Sequence, residues 1–152
     1  MDEPVDPRFA EIKAVCLRLL ARREHSQQEL LNKLQLKGYS KAHSLPVLAE
    51  LAQQDWQNDQ RYAESYVRSC IQRGYGPIYI AYNLRQQSVN DVDLDGIVQE
   101  SVGSWIALIE QVYTKKYGQQ PVADNHDKAK RNRFLLQRGF SQAMINTLFT
   151  EL

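Results

Sequence analysis

Leu34-Gln35-Leu36-Lys37-Gly38-Tyr39-Ser40 and Leu135-Leu136-Gln137-Arg138-Gly139-Phe140-Ser141 are two copies of one segment, and a worn third copy, Leu84-Arg85-Gln86-Gln87-Ser88-Val89-Asn90, lies halfway between them. In each, apolar residues of helical period come first, and a short polar residue able to cap a new helix closes the segment. The outer copies place a cation before a glycine, which ends a helix in the left-handed conformation without a Cβ penalty. Self-similarity at a spacing of about fifty residues marks a chain built by stacking one supersecondary unit. Chains of that kind present extended binding surfaces more often than enzyme pockets.

Working outward, helical periodicity recurs along the 152 residues and no convincing run of alternating residues appears. Ile12, Val15, Cys16, Leu19 and Leu20, spaced by three and four, predict a helix over residues 7–23. Ser26-Gln27-Gln28-Glu29 reads as a capping box opening a helix with Leu30, Leu31 and Leu34 on its apolar face. A third helix carries Val47, Leu48 and Leu51 and starts after Ser40 or Ser44. Pro46 favours Ser44, because proline is at ease in a first turn. Asn58 or Asp59 caps a helix with the stripe Tyr62, Ala63, Tyr66, Val67, Cys70 and Ile71, which Gly74 ends. Gly76-Pro77 opens the next, with Ile80 and Leu84, and Asn90-Asp91 is expected to cap one with Leu94, Ile97 and Val98. The last third starts near Gly103-Ser104 with Trp105, Leu108, Ile109 and Val112. A loop over residues 118–125, a basic helix over residues 127–138 and a Ser141-capped helix follow. The expectation is an all-α fold of three tandem three-helix repeats, residues 9–57, 58–102 and 103–152, behind a flexible segment 1–8. About fifty residues is near the least that holds a core of its own, so adjacent repeats should stack into an elongated, curved modular rod. A globular nine-helix arrangement is the alternative.

Composition narrows the function classes. A 43% hydrophobic and 24% charged chain is ordinary for a folded domain, and no run reaches the length of a membrane span. The acidic, proline-broken start Met1-Asp2-Glu3-Pro4 lacks the basic and apolar segments of a secretory signal, which points to the cytoplasm. Cys16 and Cys70 fall at apolar helical positions and read as buried thiols. His25, His43 and His126 are scattered, so neither a zinc site nor a histidine-activated nucleophile is expected. Glu29 has a capping role, and Asp91, Asp93 and Asp95 crowd a helix start, where the dipole favours negative charge. No catalytic residue, metal or cofactor is expected. The net charge of +1 hides a local segregation: residues 128–138 carry five cations and no acid, and residues 91–100 four acids and no base. Such a chain can present a basic stripe to a polyanion.

The middle third carries the most specific text: Asn58-Asp59-Gln60-Arg61-Tyr62-Ala63, then Tyr66-Val67-Arg68, then Arg73-Gly74-Tyr75-Gly76-Pro77, with Ile80 and Leu84 beyond. Together with Lys37-Gly38-Tyr39-Ser40 and Arg133-Phe134-Leu135-Leu136-Gln137-Arg138-Gly139-Phe140-Ser141, it resembles the RecX family of bacterial recombination regulators, from about residue 14 to the end. The resemblance implies three tandem three-helix repeats and a protein without a reaction of its own. It implies as partners the RecA recombinase and the RecA filament on single-stranded DNA. The protein would lie in the filament groove and inhibit strand exchange, ATP hydrolysis and coprotease activity. A monomer with weak direct DNA binding, no membrane association and no cofactor fits that picture. One departure is Ser88, where the family commonly has a glycine before the third helix of its middle repeat.

The binding candidates are the cations that these helices should carry outward. Arg68 and Arg73 follow the middle stripe, with Arg85 on the next helix. Lys128, Lys130, Arg131, Arg133 and Arg138 make one helix basic on several sides, and Lys33 and Lys37 form a smaller patch on the matching helix of the first repeat. Arginine's planar fork suits carboxylates and phosphates alike, although any single charge run is commonly a solvated face. Tyr75, between two glycines, is a candidate exposed contact; Tyr62 and Tyr66 read as core, and Trp56 and Trp105 as joints between repeats. The alternative function is a stand-alone DNA-binding helical module, whose binding would fall steeply with salt.

Overall fold

A computed structural model of the chain describes residues 6–152. The described residues form nine helices and no strand: α1 (Pro7–Arg22), α2 (Gln27–Leu36), α3 (Lys41–Gln53), α4 (Asp59–Gln72), α5 (Pro77–Gln86), α6 (Leu94–Val102), α7 (Trp105–Tyr117), α8 (Asn125–Gln137) and α9 (Gln142–Glu151). The expected all-α architecture is present. Of the segment 1–8 expected to be flexible, residues 1–5 lie outside the described residues, while Asp6 caps α1 and Pro7 and Arg8 occupy its first turn.

Short polar side chains start the helices. The Ser26 hydroxyl accepts the Glu29 N–H at 2.9 Å and the Glu29 carboxylate accepts the Ser26 N–H at 3.2 Å, a complete capping box. Asn58, not Asp59, caps α4, its side chain accepting the Arg61 N–H at 3.0 Å. Ser104, Asp124 and Ser141 do the same for α7, α8 and α9. Three starts differ from expectation, the first being α8, which begins at Asn125 under the Asp124 cap, inside the expected loop and ahead of residue 127. Ser40 caps α3 at the His43 N–H, and Ser44, fully buried, sits one turn inside with its hydroxyl donating to the Ser40 carbonyl at 2.8 Å. Pro46 is therefore interior to α3; the cap and the buried stripe Val47, Leu48 and Leu51 outweigh its missing N–H. Asp93, rather than Asn90 or Asp91, caps α6 through the Gly96 N–H at 3.0 Å.

The turn residue of the repeated segment has a positive φ in all three copies. Gly38 and Gly139 sit at φ +95° and +92°, and Ser88 takes the same left-handed region at φ +58° without being glycine. The departure at Ser88 thus changes the residue and keeps the turn, at a cost of about 1–2 kcal/mol relative to a residue without a Cβ.

Packing divides the chain into two compact units. The first holds residues 6–65 with Gln87–Val89. Its core is Ile12, Val15 and Cys16 of α1, Leu30, Leu31 and Leu34 of α2, and Val47, Leu48 and Leu51 of α3, with Tyr39 folded against it. Each fully buried aliphatic side chain stabilises by about 1.5–3 kcal/mol. Trp56 stands 58% exposed, where a joint residue was expected to be covered.

The second unit holds Tyr66–Gln86 and Asn90–Leu152. Val67, Cys70 and Ile71 of α4, Ile80 and Leu84 of α5, and Ile97 and Val98 of α6 are buried in it. So are Leu108, Ile109 and Tyr113 of α7, Leu135 of α8, Phe140, and Ile145 and Leu148 of α9. Trp105 donates its indole N–H to Asp95 at 2.8 Å, joining α7 to α6.

Candidate functional site

The blocks that carry the resemblance do structural work first. Asp59 accepts both the Gln27 N–H at 3.0 Å and the amide of buried Gln57 at 2.8 Å, which ties the start of α2 to α4. Arg61 pairs with Glu24 at 2.8 Å and Asp55 at 3.1 Å. In the second unit the turn before α5 docks onto the turn before α9: the Gly76 N–H donates to the Arg138 carbonyl at 2.7 Å and the Ile78 N–H to the Gly139 carbonyl at 2.9 Å.

That docking gathers three of the predicted residues into one corner. Tyr75 stacks on Tyr79, centroids 4.0 Å apart and 14° from parallel. The Arg73 guanidinium lies 5.4 Å from the Tyr75 ring centre and that of Arg138 5.0 Å. Arg138 also covers Phe134 at 5.5 Å and donates from Nη1 to the Arg73 carbonyl at 2.9 Å. Cation–π contacts of this kind are worth about 0.5–2 kcal/mol each and fix the guanidinium plane. Beside the corner opens a cleft of about 300 Å³ between the end of α4, α7 and α8, with Arg73, Lys115, Lys116 and Arg138 among its lining residues.

Lys128 and Arg133 come together elsewhere, in an open groove of about 620 Å³ between α8 and α9. A ladder of amides runs along it: Asn132 and Gln142 exchange bonds of 3.1 and 2.7 Å, and Gln142 donates to Asn146 at 2.9 Å. Lys130 is exposed outside that groove.

Arg131 is a correction. It is 3% exposed and offers nothing to a polyanion. Its Nη1 donates to the Tyr113 hydroxyl at 2.7 Å and the Gln120 carbonyl at 2.9 Å, and its Nη2 to the Pro121 carbonyl at 3.2 Å and Asp127 at 3.0 Å. The guanidinium lies 4.5 Å from the Tyr117 ring centre. Its role is to fasten the loop between α7 and α8. The Ala123 N–H, assisted by Arg131, holds the Asp127 carboxyl below its ordinary range.

The remaining candidates stay apart from these clusters. Lys33 is half-buried and Lys37 exposed on the first unit, and Arg68 and Arg85 are exposed on α4 and α5. Sequence reasoning missed Lys115 and Lys116, whose signal was only a basic pair at the end of the Trp105–Val112 stripe. It also missed Tyr79 and Phe134 as the aromatic bed for the arginines. Among the described residues no group of three or more His, Cys, Asp and Glu is placed to hold a metal ion, and no helix is long and apolar enough to cross a membrane.

Successive capped helix triplets, closed by one recurring left-handed turn and displaying cations around two clefts, define an all-helical repeat protein. Residues 13–51, 58–95 and 106–149 match, in order, the first, second and third three-helix domains of RecX. The chain is 37% identical to the regulatory protein RecX of Halorhodospira halophila over 130 residues, 86% of this chain and 81% of that one. It is 35% identical to that of Pseudomonas entomophila over 150 residues, 99% and 94% of the two chains. The crystal structure of a regulatory protein RecX superposes with a TM-score of 0.74 at 24% identity, covering 94% of this chain and 72% of that one. That of RecX from Lactobacillus salivarius gives 0.68 at 22% identity, covering 95% and 96%. The chain belongs to the RecX family.

Proposed function

We propose that this protein is a cytoplasmic, monomeric, non-catalytic regulator that binds the RecA recombinase and its filament on single-stranded DNA. In doing so it inhibits strand exchange, ATP hydrolysis and coprotease activity. The observation that carries the reading is the match of all three helix triplets, in order, to the three RecX domains. The exposed cations supply the means. Exposed Arg73 with half-buried Arg138 and Tyr75, and exposed Lys128 with Arg133, are groups fit to meet carboxylates of a protein groove or phosphates of the enclosed strand. Lys33, Lys37, Arg68, Arg85 and Lys130 would add peripheral contacts. Each triplet acting as one contact unit would add modest energy, and linkage would make the sum avid.

The test is ATP turnover by the recombinase on single-stranded DNA with this protein titrated in. Inhibition at or below equimolar amounts is expected; its absence would sink the proposal. Equal inhibition by a single triplet cut from the chain would remove the linkage argument. Loss of binding in moderate salt, with equal affinity for naked strands and filaments, would favour the stand-alone DNA module instead.

A further inference from the structure

We infer that the cleft between the end of α4, α7 and α8 is a binding site for the phosphate group of a nucleotide. This does not rest on the recombinase reading. The cleft is bounded by four cations, Arg73, Lys115, Lys116 and Arg138, and its lining contains no carboxylate. Its floor is apolar, with Ile71 and Leu108 both 2% exposed, beside Val112 and Phe134. Gln72 and Gln111 offer amides at the wall.

Fixed arginines elsewhere in the chain meet an acid: Arg23 meets Glu29 at 2.8 Å, Arg61 meets Glu24 at 2.8 Å, and Arg131 meets Asp127 at 3.0 Å. Arg138 is held as firmly, between the Tyr75 and Phe134 rings and on the Arg73 carbonyl, yet among the described residues no carboxylate pairs with it. Of its five N–H donors one is engaged by the protein. Arg73 shares the Tyr75 ring with it, so two cations converge on one ring. Across the cleft, the Lys116 ammonium rests 5.1 Å from the Phe134 ring centre. Like charges gathered this way repel, and an anion in the cleft relieves the repulsion.

The size and lining select the class of anion. A cavity of about 300 Å³ exceeds a bare phosphate and suits a phosphate with its sugar and part of a base. The phosphate takes the guanidinium forks of Arg73 and Arg138, to which its oxygens are matched. The sugar and base cover Val112 and Phe134, the half-buried apolar residues of the lining, with Gln72 and Gln111 near the base edge. The phosphate is that of a free nucleotide or of a unit in a single strand; the chemistry of capture is the same. An extended acidic peptide would leave the apolar floor uncovered.

The experiment is an amide NMR titration of the full chain, without recombinase, using thymidine 5′-monophosphate, thymidine and a hexaglutamate peptide at matched ionic strength. The nucleotide is expected to shift Arg73, Gly74, Lys115, Lys116 and Arg138 selectively. The double variant Lys115→Gln/Lys116→Gln, both exposed at the end of α7, should bind about tenfold more weakly and keep the native spectrum elsewhere. A short oligothymidylate with and without a 5′-phosphate separates the sources. Preference for the phosphorylated strand assigns a terminal or free phosphate, and equal binding assigns a phosphodiester. Equal shifts from thymidine, tighter binding of hexaglutamate, or unchanged affinity in the double variant would each overturn the inference. None of these readouts involves the recombinase, so failure here leaves the regulatory proposal standing.

Discussion

Gly76 and Gly139 meet backbone to backbone: a Cβ on Gly76 would stand 2.6 Å from the Gly139 carbonyl, and one on Gly139 would stand 2.6 Å from the Tyr79 amide nitrogen. The contact explains why two separate motifs, Gly-Tyr-Gly-Pro and Arg-Gly-Phe-Ser, carry glycine at these points. Each turn is the other's packing surface, and their closure sets Arg73, Tyr75 and Arg138 side by side.

Replacing either glycine by alanine should therefore destabilise by about 3 kcal/mol or more, since rigid backbone must move apart. Gly38→Ala is the control. It shares the positive φ of Gly139, but nothing lies within 4 Å of its Cβ, so the cost should stay at about 1–2 kcal/mol. Urea unfolding of the three variants orders them; a Gly76→Ala variant no weaker than Gly38→Ala would contradict the close approach.

Ser88→Gly should be neutral to stabilising, by up to about 1–2 kcal/mol, because the native backbone already occupies the left-handed region at φ +58°. A clear loss of melting temperature would mean that the Ser88 side chain contributes something beyond its conformation.

Arg131 and its neighbours should separate cleanly. Arg131→Ala leaves the Tyr113 hydroxyl, the Gln120 and Pro121 carbonyls and Asp127 without their shared partner, and should lower the melting temperature by roughly 5 °C or more. Lys130→Glu with Arg133→Glu, both exposed, should leave the melting temperature nearly unchanged while weakening inhibition of the recombinase. Unchanged inhibition in that pair would move the contact elsewhere.

Acid should weaken the first unit in two steps. His25 is 2% exposed; burial above all, and the charge of Arg23, hold its imidazole below the ordinary value, against the pull of the Arg23 carbonyl. The unfolded chain then takes a proton below about pH 6.5 that the folded chain refuses, so stability falls as pH drops through that range. Glu29 adds a second step. Burial opposes its ionisation, yet the Arg23 fork and the Ser26 N–H outweigh it and hold the carboxyl low. Its contribution is complete above about pH 4.3 and is lost below it. Urea midpoints against pH should show both steps, and His25→Gln should flatten the upper one.

Both thiols should be inert in the native protein. Burial pushes Cys16 up to about 11 and raises Cys70 as well, so little thiolate exists near neutral pH. A thiol reagent should label neither within minutes in buffer and both in denaturant. Rapid native labelling of either would show that its helix opens readily.

Periodicity and capping chemistry were legible because they are local. Stripes at three and four, Ser26 with Glu29, Gly76 before Pro77 and the turn at Lys37-Gly38 depend on neighbours within one helical turn, and each forms as its residues dictate. Ser40 against Ser44 was legible only in part, since the choice turned on whether the buried stripe could carry Pro46 inside a helix. What the cations do was not local. Lys130, Arg131 and Arg133 are consecutive or nearly so, yet one is exposed away from the groove, one is buried under a loop eleven residues behind it, and one lines the groove. Arg73 and Arg138 lie 65 positions apart and share a ring.

The sequence alone therefore determined the helices, most of their ends and the repeated turn, because hydrogen bonds and side-chain period act over a few residues, while the starts of α3 and α6 waited on packing. Only the tertiary structure decided which charges face solvent, which are consumed by the fold and which converge on a cleft. A side chain's fate depends on what long-range packing places beside it, and at Arg131 and Arg138 the same residue type met opposite surroundings.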